Sequence, residues 1–136
     1  MMSMNGGHNM KALYTLAGIV CEGKQIGRKL GFPTANLAYN PEVRYPPDGV
    51  YAALVEIEGM KGAFSAILNQ GRRPTVPDGQ KTIEIHLLDF SEDLYGRALC
   101  VHYIELLREE KRFNSLDELK SQLARDVESA RQIFEV

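Results

Sequence analysis

The stretch KTIEIHLLDF (81–90) alternates apolar and polar side chains over six consecutive positions. Successive side chains of a β-strand point to opposite faces, so alternate residues share a face. The apolar face consists of Ile83, Ile85 and Leu87. The polar face consists of Thr82, Glu84 and His86. This alternation predicts a strand of an antiparallel sheet with one face in the core.

Four further stretches have strand character, and loops rich in glycine and proline separate some of them. The strand candidates are LYTLAGIVC (13–21), VYAALVEIE (50–58), GAFSAILN (62–69) and RALCVHYIELL (97–107). The predicted loops include NPEVRYPPDG (40–49) and NQGRRPTVPDG (69–79). Since no helices alternate with these strands, the sequence predicts a mainly β domain, an antiparallel sheet or barrel of five or six strands.

The composition changes at Ser115, where the sequence predicts a C-terminal helix. Ser115 and Glu118 form a capping box, in which each side chain satisfies a free backbone donor of the other residue. Apolar residues then recur at helical spacing: Leu116, Leu119, Leu123, Val127, Ala130 and Phe134. The pattern predicts one amphipathic helix of about five turns.

The composition excludes several classes of function. The net charge of −2 and the pI of about 5.9 give no general attraction to a phosphate backbone. Aromatic residues make up 8% of the chain and tryptophan is absent, which disfavours a binder of single-stranded nucleic acid. No apolar run approaches the roughly 18 residues that span a membrane. We expect a cytoplasmic monomer with a flexible tail (1–12) and one domain (13–136), without nucleic-acid or membrane partners.

The two cysteines and three histidines show no ligand-like spacing. Reduced thiols in a cytosolic protein are the simplest interpretation of Cys21 and Cys100. The sequence therefore predicts no metal site built from cysteine and histidine.

The loop GRKLGFPTANL (27–37) places basic residues between glycines and then a proline before two polar residues. Glycines allow a backbone to approach a ligand closely, and Arg28 and Lys29 supply positive charge for phosphates. If the chain is extended after Pro33, Thr34 and Asn36 point to the same side and offer oxygen ligands suited to Mg²⁺. The alternative is a turn in which these side chains cap their own backbone, which residue types alone favour.

Two other segments leave alternatives open. Glu84 is either part of a solvent-exposed sheet face or a general base that takes a proton from a hydroxyl, and His86 could orient it. In LREEKRFNSL (107–116), Phe113 is either a hydrophobic staple onto the helix or part of a flap over a planar ligand, with Arg108 beside the ring.

Taken together, these segments resemble the riboflavin kinase family, in order, from about residue 13 to residue 131. The resemblance rests on GRKLGFPTANL, GVYAA, NQGRRPT, IEIHLLDF, DLYG and LLREEKRFNSLDEL, of which PTAN is the most specific. It implies a six-stranded antiparallel Greek-key barrel with a C-terminal helix. It also implies transfer of the γ-phosphoryl group of ATP to the 5′-hydroxyl of riboflavin, which yields FMN and ADP.

The resemblance further implies a role for each matching residue. Thr34 and Asn36 would hold Mg²⁺ with the ATP phosphates, and Glu84 would be the catalytic base. The ATP-binding set would be Gly27, Arg28, Lys29, Pro33, Thr34, Asn36 and Tyr95. Arg108 and Phe113 would lie on the flavin side.

Two departures from the family pattern accompany this expectation. The family segment close to NIGTRPT reads NQGRRPT here, with Gln70 and Arg72 substituted. Too few residues precede Leu13 for the adenylyltransferase domain of many bacterial relatives, so we expect the reaction to end at FMN. The alternative function is a non-catalytic flavin- or nucleotide-binding module on the same barrel.

Overall fold

The computed structural model describes residues 11–22, 31–72 and 81–135. This part of the chain contains six strands and one helix. The strands are β1 (Tyr14–Ile19), β2 (Ala35–Leu37), β3 (Gly49–Ile57), β4 (Ala63–Arg72), β5 (Lys81–Leu87) and β6 (Ala98–Arg108). The helix, α1, is Leu116–Phe134. The first ten residues of the predicted tail lie outside the described residues.

All six strands belong to one antiparallel sheet in the order β1-β6-β3-β4-β5-β2. Strands β3, β4 and β5 follow one another, and β6 returns beside β3, which is the Greek-key arrangement. The sheet curls so that its two ends meet, where the Cys21 amide donates to the Asn36 carbonyl at 2.8 Å. The predicted six-stranded antiparallel fold with a C-terminal helix is confirmed.

The alternation in β5 places its apolar and its polar residues on opposite faces of the sheet. Its apolar face packs inside the curled sheet, where Ile83 and Ile85 are almost fully buried with Tyr51 and Tyr103. The opposite face carries α1, whose Ala130 is buried in a second, smaller cluster. The polar face of β5 therefore lies on the same side of the sheet as the helix.

The helix begins as predicted, with one difference in its capping box. The Glu118 amide donates to Ser115 Oγ at 3.1 Å, but the Glu118 carboxylate accepts from the amide of Asn114 and not from that of Ser115. In the described part of the chain, no helix is both long enough and apolar enough to cross a membrane.

The prediction of a loop from residue 69 was wrong for its first four residues, because β4 continues to Arg72. Gln70, which lies in this extension, is fully buried. Its Nε2 donates to the Pro46 carbonyl at 2.8 Å and to Asp48 Oδ1 at 3.0 Å, while its Oε1 accepts from the Tyr103 hydroxyl at 2.8 Å. These three hydrogen bonds replace the ones that the glutamine amide would make with water in an exposed loop. Residues 73–80 of the predicted loop lie outside the described residues.

Replacing Gln70 by isoleucine, an apolar residue of similar size, is expected to lower the free energy of unfolding by about 2 kcal/mol. The substitution leaves the buried Tyr103 hydroxyl without its acceptor, and such orphaned groups are costly. Urea unfolding of Gln70→Ile, Tyr103→Phe and the double variant measures the coupling. Tyr103→Phe should be less destabilising in the Gln70→Ile background than alone; equal costs in both backgrounds would contradict the proposed pairing.

Candidate active site

A row of directly paired residues crosses the sheet from β2 to β6. Asn36 pairs with Glu84, Glu84 with Asn69, Asn69 with Val50, and Val50 with Arg108. Residues directly opposite each other in an antiparallel ladder have side chains on the same face. The strand register therefore brings Asn36, Glu84 and Arg108 onto one face, although they are far apart in sequence.

A cavity of about 600 Å³ lies over this row from Glu84 to Arg108, between the sheet and the first half of α1, and Asn36 lies beyond its lining. Residues 110–115 form its rim. Three leucines of the helix line it: Leu116, Leu119 and Leu123. Leu116 is 64% exposed, so this part of the predicted apolar stripe faces the cavity and not the core. Such a mixture of an apolar wall and a few polar groups is typical of small-ligand sites.

Glu84 lies on the cavity wall with its Oε2 atom shielded from solvent. The polar face of β5 is thus covered, and the alternative of an ordinary solvent-exposed face does not hold at this position. A carboxylate half-buried beside a ligand-sized space can accept a proton from a bound hydroxyl.

The segment before β2 is held by His86. Its Nδ1 lies 2.8 Å from the Pro33 carbonyl, and its ring meets that of Phe32 edge to face at 5.4 Å between centroids. Because a carbonyl can only accept, Nδ1 must carry the proton. This contact fixes the chain just before Thr34, which lines the cavity. Asn36 is 9% exposed and belongs to the β2 ladder and not to a turn.

If Thr34 belongs to the nucleotide site that the resemblance implies, loss of the His86 contact is expected to weaken nucleotide binding more than the chemical step. One hydrogen bond to a backbone carbonyl contributes about 1 kcal/mol, so His86→Ala should raise KM for Mg-ATP by roughly five- to tenfold. Steady-state kinetics measures this effect. His86→Gln, which keeps a donor, serves as the matched control and should lose less. An unchanged KM in His86→Ala would remove the positioning role.

Arg108 lines the cavity and makes a two-pronged ion pair with the helix. Its Nε and Nη2 donate to the two carboxylate oxygens of Asp126 at 2.9 and 2.8 Å. Asp126 is almost fully buried and also accepts from Gln122 Nε2 at 2.9 Å. The guanidinium lies over the Phe113 ring at 5.8 Å, so Phe113 is held at the cavity rim. This position is compatible with the flap interpretation of Phe113.

The rim is docked to β4 through Glu110. Its carboxylate packs directly over Gly71, where a side chain of any size would displace it. The Arg72 amide donates to Glu110 Oε1 at 3.4 Å. Burial raises the pKa of Glu110, and the contact with Arg72 opposes that shift. The absence of a side chain at position 71 therefore lets the segment after β6 close against the sheet.

Tyr95 does not line the cavity; it is 60% exposed in the turn before β6. That turn is joined to the end of β1, because the Gly96 amide donates to the Val20 carbonyl at 3.0 Å. The next residue, Cys21, bridges to Asn36. The turn that contains Tyr95 and the strand that contains Asn36 are therefore both hydrogen-bonded to the segment 20–21. Gly27, Arg28 and Lys29, the predicted phosphate-binding residues, lie outside the described residues.

Sequence reasoning missed Asp126 and Glu110. Asp126 had a signal, since a carboxylate falls among the apolar positions of the helix between Leu123 and Ala130. A buried carboxylate on an apolar stripe needs a cationic partner. No local sequence pattern could indicate the role of Glu110, because its contact with Gly71 joins two segments that lie 39 residues apart.

Comparison with known proteins identifies the relatives of this chain. A family model described as "Flavokinase: Riboflavin kinase" matches residues 10–134. The "Bifunctional riboflavin kinase/FMN adenylyltransferase" of Escherichia coli (strain K12) is 44% identical over 122 residues, which are 89% of this chain and 38% of that protein. The "RNA-binding riboflavin kinase RibR" of Bacillus subtilis (strain 168) is 38% identical over 122 residues, 89% of this chain and 51% of that protein. The chain thus spans only part of the curated relatives it matches.

A solved structure supports the fold. The riboflavin kinase from Trypanosoma brucei superposes with a TM-score of 0.62 at 23% identity, covering 89% of this chain and 79% of that one. At this identity the likeness concerns the fold alone.

Proposed function

The chain belongs to the riboflavin kinase family, and on this basis we propose that it transfers the γ-phosphoryl group of ATP to the 5′-hydroxyl of riboflavin. The products are FMN and ADP. The observation that supports this proposal best is the direct pairing of Glu84, which lines the cavity, with Asn36 on the neighbouring strand β2. That pairing sets a potential proton acceptor beside a potential ligand of the metal that accompanies the nucleotide.

The flavin ring would occupy the apolar part of the cavity. Leu119 and Leu123 supply an apolar wall, and Phe113 and Arg108 supply aromatic and cationic contacts at the rim. A planar, largely apolar ring system with polar edges suits such a lining. In this proposal, Arg108 and Phe113 bind the flavin ring.

The nucleotide would lie at the end of the cavity near β2. The Thr34 hydroxyl and the Asn36 side-chain oxygen are hard oxygen ligands that lie two residues apart in the sequence. Such ligands suit Mg²⁺, whose remaining coordination positions would be taken by water and phosphate. Mg²⁺ bound there would neutralise charge on the transferred phosphoryl group. Tyr95 would contact the adenine, and residues 27–29 with Pro33 would surround the phosphates.

Glu84 would act on the acceptor. Its carboxylate would orient the 5′-hydroxyl of the ribityl chain and take its proton as the new phosphorus–oxygen bond forms and the bond to ADP breaks. In such transfers, positioning and charge neutralisation carry most of the catalysis. The rim segment, docked through Glu110 and Phe113, would exclude water as a competing acceptor.

The test is to incubate the purified chain with riboflavin and Mg-ATP and to separate the flavins by chromatography. FMN that forms with Mg²⁺ and not after its removal is the expected result. If riboflavin binds but no FMN appears with any nucleotide or divalent metal, the chain is a binding module and the proposal fails. We further propose that the enzyme works as a cytoplasmic monomer without nucleic acid or membrane; light scattering of the purified chain checks the monomer.

A further inference from the structure

A second cluster of potential metal ligands lies on the sheet away from the cavity. Glu56, Cys100 and His102 place one carboxylate oxygen, one sulfur and one ring nitrogen within 4.8 Å of one another. His102 Nε2 is 3.0 Å from Glu56 Oε1 and 3.8 Å from Cys100 Sγ. Ligand atoms around a tetrahedral Zn²⁺ with bonds of about 2.0–2.3 Å are separated by about 3.3–3.7 Å. Small rotations of the three side chains would therefore bring their ligand atoms to these separations.

Two strands, β3 and β6, supply the three residues of this cluster, and β1 lies beside them. Cys100 and His102 are two residues apart on β6 and therefore share a face. The register of β3 with β6 pairs Glu56 with Cys100, and the register of β1 with β6 pairs Thr15 with His102. All three candidate ligands are half-buried. They are thus shielded by the sheet but open to a solvent ligand.

The second nitrogen of His102 has the partner that a metal-binding histidine requires. Its Nδ1 lies 3.0 Å from Thr15 Oγ1. A hydroxyl both donates and accepts, so Thr15 can accept from Nδ1–H when Nε2 is left free to bind a cation. Ligating histidines usually hold their other ring nitrogen in this way, which fixes the orientation of the ring.

We propose that Glu56, Cys100 and His102 form a site for a borderline-soft divalent transition metal, of which Zn²⁺ is the best fit, with water completing the coordination. Thiolate and imidazole ligands favour Zn²⁺ over Mg²⁺, which prefers oxygen ligands and octahedral geometry. On binding, the thiol loses its proton to solvent as the metal–sulfur bond forms. The cation would join β3 to β6 and raise the thermal stability of the fold.

This site is separate from the proposed phosphoryl-transfer site. None of Glu56, Cys100 and His102 lines the cavity, whose lining includes Thr34 and Glu84. Its ligands are also of a different chemical type from the hydroxyl and amide oxygens of Thr34 and Asn36. FMN formation with excess Mg²⁺ should therefore be the same in Cys100→Ser as in the wild type, so the two proposals fail or succeed independently.

Titration with Co²⁺ in the presence of excess Mg²⁺ tests the site directly. Bound thiolate gives a near-ultraviolet charge-transfer absorption, expected in the wild type, absent in Cys100→Ser and retained in Cys21→Ser, the matched control for the other cysteine. Calorimetry should show Zn²⁺ affinity reduced more than about 100-fold in Cys100→Ser and about 10- to 100-fold in Thr15→Val.

Glu56→Gln gives a second variant, because the Glu56 side chain is 43% exposed and needs no repacking. It should also weaken Zn²⁺ binding and abolish the rise in melting temperature that Zn²⁺ produces. A wild type without thiolate absorption, or absorption that persists in Cys100→Ser, would overturn the proposal. The cluster would then be an ion pair between Glu56 and His102 that joins two strands.

Discussion

Replacing Glu84 by glutamine is expected to lower kcat for FMN formation by at least about 100-fold while riboflavin still binds. Glutamine keeps the size and hydrogen-bonding capacity of the side chain but cannot take the proton from the 5′-hydroxyl. Loss of a general base typically costs two to four orders of magnitude in rate. Single-turnover kinetics measures the chemical step, and quenching of flavin fluorescence measures riboflavin binding.

The matched control for this variant is Glu105→Gln. Glu105 is an exposed glutamate of β6, so it carries the same chemical change away from the cavity. Its activity should equal that of the wild type. If Glu84→Gln lost binding and turnover in equal measure, the carboxylate would be a binding group and not a base. If turnover were unaffected, the proposed mechanism would need another proton acceptor.

Replacing Asp126 by alanine is expected to lower the free energy of unfolding by about 3 kcal/mol. The side chains of Asp126 and Arg108 are only 3% and 17% exposed, so the variant leaves a mostly buried guanidinium without its counter-charge. It also frees Arg108 to move away from Phe113. KM for riboflavin should therefore rise, with a smaller change in kcat. Urea unfolding and steady-state kinetics measure the two effects.

A double variant separates the ion pair from simple packing. Arg108→Met combined with Asp126→Leu removes both charges and refills the space, and replacement of a buried ion pair by apolar residues often restores stability. We expect the double variant to be clearly more stable than Asp126→Ala, although its riboflavin affinity stays low. A loss below about 1 kcal/mol in Asp126→Ala would show that the pair contributes little to the fold.

The alternation of apolar and polar residues in β5 shows how much of the site the sequence could predict. It placed Glu84 and His86 on the face opposite Ile83 and Ile85, as the structure has them. It did not show what covers that face. The cover is the first half of α1 and the rim segment, which reach the cavity through contacts such as that of Glu110 with Gly71.

The sequence pattern did not indicate the cluster of Glu56, Cys100 and His102. The spacing of cysteine and histidine along the chain predicts no metal site. Cys100 and His102 are two residues apart on one strand, and Glu56, the third residue of the proposed site, lies 44 residues before Cys100. Only the pairing of β3 with β6 brings it within reach.

The sequence by itself determined most of the elements: five of the six strands by their alternation or their strand-forming residues, the helix by its cap and its stripe, and the family by its ordered motifs. These features are local, since backbone geometry and side-chain direction repeat every two residues or every three to four. The tertiary structure alone decided the register that aligns Asn36, Glu84 and Arg108, the ion pair of Arg108 with Asp126, and the end of β4. Each depends on which distant residues satisfy one another's charges and hydrogen bonds after burial, and no window of the sequence contains both partners.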